Sequence, residues 1–152
     1  MDFTLDKKHE MARTLFREFA EKEVKPLAIE VDETEIFPRE TVTKMAKYGF
    51  LGIPVAKEYG GQGADPLAYV MCVEELSKVC ATTGVIVSAH TSLCADPIFM
   101  YGTPEQKEKY LVPLAKGEKL GAFALTEPNA GTDAQGAVTK AVLDGDEYVL
   151  NG

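Results

Sequence analysis

The sequence predicts a mainly α-helical chain, in which a helical bundle domain is followed by the start of a β-barrel-like domain. The first observation behind this prediction is that apolar residues recur at helical spacing up to Gly117. The second is that short apolar runs separated by turn-forming residues replace this pattern after Gly117. We therefore expect residues 1–118 to form an all-α domain and residues 119–152 to begin an incomplete β domain.

The first three helices are predicted from apolar spacing and from prolines. The first helix is expected to begin near Thr4, and Pro26 is expected to interrupt it. A short second helix then covers residues 27–31, and a third begins at Pro38 and ends at Gly49. The apolar stripe of the first helix comprises Met11, Ala12, Leu15, Phe16, Phe19 and Ala20.

Three further helices follow. Asp65 is expected to cap a helix that begins with Pro66. Residues 84–100 are apolar on most faces, which predicts the buried central helix of the bundle. Residues 103–106 read Thr-Pro-Glu-Gln, a capping box that starts a helix ending near Gly117.

The last part of the chain predicts strands. Residues 120–125 are expected to form the first strand. Residues 137–143 and 147–150 flank an Asp-Gly-Asp turn at residues 144–146, which indicates a β-hairpin.

The chain ends on Asn151 and Gly152, which favour a hairpin turn but have no returning strand. Such an end leaves Val149 and Leu150 at an unpaired sheet edge. We therefore expect this sequence to be a fragment that is cut inside a β domain.

Composition argues against several classes of partner and site. The chain has 24 acidic and 16 basic side chains and a formal net charge of −8, which disfavours nucleic acid and anionic membrane surfaces. Cys72, Cys80 and Cys94 are odd in number and lack metal-ligand spacing, so neither a metal site nor a disulfide framework is expected. No signal peptide and no apolar run of roughly 18 residues is found, and we expect a cytoplasmic protein.

The stretch most informative about function is residues 124–136, Ala-Leu-Thr-Glu-Pro-Asn-Ala-Gly-Thr-Asp-Ala-Gln-Gly. A polar cluster of this kind after an apolar run presents hydroxyls and backbone N–H groups that suit a flat or phosphate-bearing ligand. A plain strand-to-turn connection, with Pro128, Asn129 and Gly131 as turn formers, is the alternative interpretation.

The same stretch matches all nine restricted positions of the signature of flavin-dependent acyl-CoA dehydrogenases, and the whole chain resembles the N-terminal part of that family. Residues 58–61, 73–77, 102–107 and 148–152 add to the resemblance. Residues 88–94 and 111–114 are most similar to short-chain, butyryl-CoA-type enzymes of anaerobic bacteria.

The resemblance implies a reaction, a cofactor and partners. A short-chain acyl-CoA would be oxidised to the trans-2-enoyl-CoA by an FAD enzyme that passes electrons to electron-transfer flavoprotein, and the intact family member would be a homotetramer. The catalytic glutamate of the family lies beyond residue 152. No catalytic residue is therefore assigned in this chain, and the fragment itself is expected to be inactive.

The resemblance also implies roles for individual residues. Thr132 would contact the pantetheine arm of CoA as well as FAD, whereas Glu127 and Asp133 would brace the loop. Ile86, Ala89 and Leu93 would line the acyl pocket, although plain core packing explains them equally well. The residues expected to contact FAD are Phe123, Leu125, Thr126, Gly131 and Thr132.

Other candidate sites are weaker. The glycine-rich residues 59–63 lack the Lys-Ser/Thr of a phosphate-binding loop, and we expect a structural loop. His90 is expected to be a packed core histidine and His9 to face solvent. Glu74 and Glu75 are adjacent on a helix, where side chains diverge by about 100°, so they are not expected to act as an acid–base pair.

Two other functions remain open from the sequence. One is a helical protein-interaction module that binds no flavin. The other is a flavin oxidase or monooxygenase, since the acyl-CoA-dehydrogenase-like fold also supports these reactions.

Overall fold

The computed structural model describes residues 4–152, and the chain divides into two compact units, Met1–Ala122 and Phe123–Gly152. All α-helices of the described residues lie in the first unit, and the second unit contains a two-stranded sheet. The predicted class, mainly α with a short β segment at the end, is confirmed.

Helix α1 (Lys7–Phe19) begins after Asp6, whose carboxylate accepts the backbone N–H of His9. This start lies close to the predicted one near Thr4. The predicted apolar stripe is only partly buried, because the half of it nearest the N-terminus remains at the surface. Phe16, Phe19 and Ala20 are buried, whereas Met11 and Leu15 are exposed.

Three prolines, Pro26, Pro97 and Pro113, are each preceded by a π-helical turn. The turns are Ala20–Val24, Ala89–Ala95 and Lys107–Leu111. In each case the residue before the proline donates its backbone N–H to the carbonyl five residues earlier. A proline lacks the N–H that an α-helix uses, and the wider turn shifts the bonding pattern so that the helix continues.

The prediction that Pro26 interrupts the first helix and precedes a short second one is confirmed in part, because the chain stays helical through Pro26 but a separate short α-helix follows it. The chain continues from the π-helical turn through a 3₁₀ turn, Lys25–Leu27, into helix α2 (Ala28–Thr34). Glu35 ends α2 in the left-handed conformation, with φ of 57°. A widened turn ahead of the proline is a feature that the apolar pattern alone does not reveal.

Helix α3 (Arg39–Lys47) follows Pro38 and buries Val42 and Met45, as predicted. It stops before Gly49, whose φ of 75° reverses the chain into a 3₁₀ turn, Phe50–Gly52. All three residues of this turn are buried.

The glycine-rich loop has a structural explanation. It follows a 3₁₀ turn, Lys57–Tyr59, and a Cβ added to Gly61 would lie 2.1 Å from the carbonyl oxygen of Val55. Helix α4 (Pro66–Ser77) comes next, and the Asp65 carboxylate accepts the Ala68 N–H at 2.9 Å. The predicted cap of α4 is confirmed.

Helix α5 (Ala81–Ser88), the following π-helical turn and helix α6 (Asp96–Tyr101) form one continuous run. This run was expected to be buried on most faces, which is wrong, because only one side packs against the first unit's core. The inward side chains include Val87, His90, Thr91 and Ala95, whereas Val85, Leu93, Met100 and Tyr101 are exposed.

The last helical run consists of α7 (Pro104–Gln106), a π-helical turn and α8 (Val112–Ala115). Thr103 accepts the Gln106 backbone N–H, and the Gln106 side chain accepts the Thr103 N–H, so the predicted capping box is confirmed. The core of the first unit is centred on the largest fully buried side chains. These include Met45, Phe50, Leu51, Leu76, Val87 and Leu111.

The second unit contains the predicted hairpin, β1 (Lys140–Asp144) and β2 (Glu147–Asn151), paired antiparallel with Val142 opposite Val149. Gly145, with φ of 65°, forms the turn. The predicted strand at residues 120–125 is not found, because this segment has no ladder partner within residues 4–152.

Candidate functional site

The candidate loop in the second unit is built on a tight turn. Glu127 and Ala130 exchange backbone hydrogen bonds of 3.0 and 3.1 Å, with Pro128 and Asn129 between them. Thr126 immediately precedes the closed turn and Gly131 immediately follows it. The turn therefore holds the two threonine-bearing parts of the sequence motif close together in the fold.

The Glu127 carboxylate braces this turn, as expected from the sequence. It accepts the backbone N–H of Val138 at 2.8 Å and that of Thr139 at 3.0 Å, and it also accepts the Thr139 hydroxyl. The Thr139 hydroxyl and these two N–H groups lower the pKa of Glu127 below its usual value. The turn is thereby joined to the segment that leads into β1.

Asp133 does not brace the loop with its side chain, which corrects the expectation. Its carboxylate makes no hydrogen bond to any residue that the structure describes, and its backbone carbonyl accepts the Gly136 N–H at 3.1 Å. This contact closes a short 3₁₀ turn, Ala134–Gly136. Local backbone bonding therefore fixes this end of the loop.

The residues predicted to contact a flavin lie at the surface of the second unit. Phe123 and Leu125 are 51% and 50% exposed, and Thr126 and Thr132 are also exposed. A Cβ added to Gly131 would meet nothing within 4 Å. Exposed apolar side chains, hydroxyls and an open glycine are the groups needed to hold a flat, phosphate-bearing cofactor, so the residues present fit FAD.

The residues predicted to line an acyl pocket lie in the first unit. Ile86 is in α5, Ala89 begins the π-helical turn, and Leu93 follows one turn later. Ile86 and Ala89 are partly buried, whereas Leu93 is 44% exposed. Plain core packing therefore does not explain Leu93.

His90 has a structural role that its sequence context only partly indicated. Its ring is fully buried, Nδ1 lies 2.9 Å from the Gly121 backbone nitrogen, and Nε2 lies 3.2 Å from the Leu51 carbonyl oxygen. Burial lowers the pKa of His90. The predicted packed core histidine is confirmed, and it also fixes the segment just before the candidate loop.

His9 does not face solvent, which corrects the prediction. Its side chain is 14% exposed and lies between two helix-capping carboxylates, with Nε2 2.9 Å from Asp65 and Nδ1 2.8 Å from Asp6. The hydrogen bond with Asp65, then the one with Asp6, raises the pKa of His9. His9 also lines a mainly apolar cavity of about 150 Å³ that includes Ala12, Phe16, Phe50 and Ile53.

Glu74 and Glu75 diverge as predicted and do not form an acid–base pair. The Glu75 carboxylate is 3% exposed and bonds to Arg13 at 2.9 Å and Arg17 at 3.1 Å, joining α4 to α1. Lys78 is a third partner at 2.9 Å. Hydrogen bonding to Arg17, then to Arg13 and Lys78, lowers the pKa of Glu75 to about 2.

Within residues 4–152, no helix has the length and apolar character needed to cross a bilayer. The same residues contain no group of three or more His, Cys, Asp or Glu side chains that could hold a metal ion. The three cysteines form no disulfide, and Cys72 is buried.

Comparison with known proteins identifies the family. The model of the family described as "Acyl-CoA dehydrogenase, N-terminal domain" matches residues 6–118. The chain belongs to the acyl-CoA dehydrogenase family. It is also 66% identical, over all 152 residues, to "Acyl-CoA dehydrogenase, short-chain specific" of Clostridium acetobutylicum. The family resemblance that the sequence motifs predicted is thereby confirmed.

Solved structures of acyl-CoA dehydrogenases have the same fold. Butyryl-CoA dehydrogenase from Megasphaera elsdenii matches with a TM-score of 0.93 and 45% identity, over all of this chain and 41% of that one. An acyl-CoA dehydrogenase from Bacillus anthracis, complexed with FAD, matches with a TM-score of 0.90 and 38% identity, over 97% of this chain and 26% of that one.

A chain in a structure named for the electron transferring flavoprotein of Acidaminococcus fermentans matches with a TM-score of 0.95 and 53% identity. All of the present chain is covered, and 40% of that one. The chain likewise spans 40% of the length of the Clostridium acetobutylicum relative.

Proposed function

We propose that this chain supplies the N-terminal part of an FAD-dependent acyl-CoA dehydrogenase that oxidises a short-chain, butyryl-CoA-like thioester to the trans-2-enoyl-CoA. The observation that carries the proposal is the exposed, braced loop at residues 126–132 in a chain that is 66% identical to a short-chain specific enzyme. The similarity to butyryl-CoA dehydrogenase supports the same substrate class.

The chain's own residues would bind and orient FAD. Phe123 and Leu125 would press on the flavin and offer backbone groups, which make no hydrogen bonds to other described residues. Thr126 would donate its hydroxyl to the ring, and Gly131 and Thr132 would lie beside the pyrophosphate. When bound, FAD supplies the site that accepts the hydride from the β-carbon of the substrate.

The braced loop suits this role because hydrogen-bonding groups that are already fixed in position bind a ligand without first reorganising. Thr132 would also contact the pantetheine arm, and Ile86, Ala89 and Leu93 would line the acyl pocket. No residue of this chain is proposed as the catalytic base.

We extend the proposal to partners and location. Electron-transfer flavoprotein would accept the electrons, which the similarity to a chain in an electron transferring flavoprotein structure supports. The intact enzyme would be a homotetramer in the cytoplasm, as the family resemblance implies.

The test is a chimera in which this chain replaces the matching 152 residues of the Clostridium acetobutylicum relative. We expect the chimera to purify with FAD and its visible flavin absorbance to bleach on addition of butyryl-CoA. The unmodified relative is the positive control. A folded chimera that retains no flavin contradicts the proposal and favours a flavin-free interaction module, whereas rapid reoxidation by oxygen without an acceptor protein favours an oxidase.

Within the chimera, Thr126→Val is the test variant and Ser92→Ala is its matched control. Ser92 lies on the exposed side of the first unit, and among residues 4–152 its hydroxyl bonds only to the carbonyl of Ser88. We expect Thr126→Val to weaken FAD retention about tenfold, the effect of losing one buried hydrogen bond to a cofactor, and Ser92→Ala to leave it unchanged. Equal FAD retention by both variants contradicts the proposed role of Thr126.

A further inference from the structure

We propose that Glu127 is a positioning residue for the flavin site, which rests on the proposed function. Its carboxylate holds the turn between Thr126 and Gly131 against the segment Val138 and Thr139, so that the two threonine-bearing parts of the loop keep one spacing.

The geometry places all the contacts at one side chain. The two carboxylate oxygens of Glu127 accept two backbone N–H groups and one hydroxyl, at residues 11 and 12 positions further along the chain. These are the last residues before β1 begins at Lys140. The backbone bonds between Glu127 and Ala130 then transmit this fixed position to both ends of the turn.

The contacts require a carboxylate of this length. Each oxygen accepts one backbone N–H group, which can only donate, so the amide nitrogen of a glutamine would face an N–H donor at one of the two positions. An aspartate is one methylene shorter and falls short of the same partners. Glu127 has no ion pair with any residue in the described part of the chain, so its negative charge is stabilised by these neutral donors.

The arrangement also explains how an acidic residue is tolerated beside a phosphate-bearing ligand. A carboxylate that pointed into the site would repel a pyrophosphate. In this loop the Glu127 oxygens are directed to Val138 and Thr139. The residue can therefore shape the site without lining it.

The first experiment uses the 152-residue chain as it is and follows its backbone amides by NMR. Three variants are compared with the unmodified chain: Glu127→Gln, Thr139→Val and the matched control Glu147→Gln. Glu147 is an exposed glutamate of β2 in the same unit. We expect Glu127→Gln to accelerate hydrogen exchange at Val138, Thr139 and Ala130 about tenfold or more, and Glu147→Gln to leave it unchanged.

Thr139→Val removes only the hydroxyl and keeps both backbone donors, so its effect is expected to be smaller, about threefold. This variant keeps the test decisive if Glu127→Gln fails to fold. If Glu127→Gln and Thr139→Val exchange their amide hydrogens at the same rates as the control Glu147→Gln, the proposal that Glu127 holds the loop is overturned.

The second experiment measures the FAD dissociation constant of the chimera described above, together with the near-ultraviolet and visible circular dichroism of the bound flavin. We expect Glu127→Gln to raise the dissociation constant at least tenfold and to alter the flavin dichroism, and Glu147→Gln to change neither. A Glu127→Gln protein with faster amide exchange but unchanged FAD affinity and dichroism overturns the positioning role.

The two experiments separate failure of this inference from failure of the proposed function. A chimera that binds no FAD even with Glu127 in place overturns the proposed function and, with it, the flavin part of the inference. The amide data still decide independently whether the Glu127 carboxylate holds the loop.

Discussion

The buried ring of His90 accepts a hydrogen bond from the backbone N–H of Gly121, with Nδ1 and the nitrogen 2.9 Å apart. Because this partner can only donate, Nδ1 must be unprotonated, and the proton of the neutral ring is on Nε2. That proton is donated to the carbonyl oxygen of Leu51, 3.2 Å away. One side chain thus links the 3₁₀ turn at Phe50–Gly52 to the segment that precedes the candidate loop.

Replacing His90 with leucine is expected to destabilise the first unit. The buried Leu51 carbonyl and the partly buried Gly121 N–H would each lose a partner, at about 1–3 kcal/mol for each unsatisfied group. Urea unfolding of His90→Leu against the unmodified chain measures the difference. Ser92→Ala, on the exposed side of the same helical run, is the control. Equal midpoints for the two variants would show that the His90 contacts contribute nothing.

The pKa values of the two histidines are expected to be shifted in opposite directions. His9 has a raised pKa because it is bonded to Asp65 and Asp6, so its stabilising effect is complete below pH 6.5 and is lost as pH rises through its folded pKa. His90 has a lowered pKa because it is buried, so its effect is present above pH 6.5 and is lost as pH falls.

Imidazole NMR titration checks this prediction. One histidine should titrate above pH 6.5 and the other below it, and His9→Gln should remove the upper titration only. Two coincident titrations near pH 6.5 would contradict the contacts described for both rings.

The ion-pair cluster at Glu75 is expected to set the acid stability of the first unit. Because hydrogen bonding lowers its pKa from 4.5 to about 2, Glu75 stabilises the fold above pH 4.5, and this effect is lost as pH falls through about 2. Glu75→Gln should lower the free energy of unfolding at pH 7 by about 2 kcal/mol, since the neutral side chain loses the charged hydrogen bonds from Arg13 and Arg17.

The neighbouring residue provides the control for this prediction. Glu74 has the same charge but is 46% exposed, and exposed ion pairs contribute at most about 1 kcal/mol. Urea unfolding at pH 7 and pH 3 compares Glu74→Gln with Glu75→Gln. If the unmodified chain and Glu75→Gln lose the same stability between these pH values, Glu75 is not the titrating group.

Local signals in the sequence predicted much of this fold. The caps at Asp65 and Thr103 were predictable because each contact joins residues three positions apart. The hairpin at Gly145 was predictable for the same reason, because its turn also joins residues three positions apart. The position of His9 was not predictable in this way, because Asp65 lies 56 residues away. No spacing rule connects two helix caps that meet only in the folded chain.

The candidate site shows the same division between local and distant effects. The turn at Glu127 and Ala130 follows from Pro128 and Asn129. The expected strand at residues 120–125 failed because an apolar run specifies a tendency to extend but cannot supply the neighbouring strand. Likewise, the apolar character of Leu93 could not reveal that it lies on the exposed side of its helical run.

Gly131 provides a test of the FAD contact that leaves the fold intact. A Cβ added there would meet nothing within 4 Å, and Gly131 is not among the glycines with positive φ, so Gly131→Ala is expected to leave the stability of the chain within about 0.5 kcal/mol. In the chimera the same methyl group would occupy space proposed for the pyrophosphate. We expect FAD affinity to fall at least tenfold while thermal unfolding without FAD is unchanged.

Gly61→Ala is the opposite control for this prediction, because its Cβ would lie 2.1 Å from the Val55 carbonyl oxygen. It should destabilise the fold without a specific effect on the flavin. Unchanged FAD affinity in Gly131→Ala would place the pyrophosphate elsewhere.

The exposed hairpin is expected to make the chain self-associate. Register places Ala141 opposite Leu150 and Leu143 opposite Tyr148, so one face of the sheet is apolar, and every residue of both strands is exposed. A two-stranded sheet with such a face and unpaired edges favours pairing with another copy. Sedimentation velocity should therefore show concentration-dependent association of the chain, and Leu150→Lys should shift it towards monomer by placing a charge on that face. Met11→Lys, at a site that is 66% exposed in the first unit, is the matched control. If Met11→Lys reduces association as much as Leu150→Lys does, the hairpin is not the surface responsible.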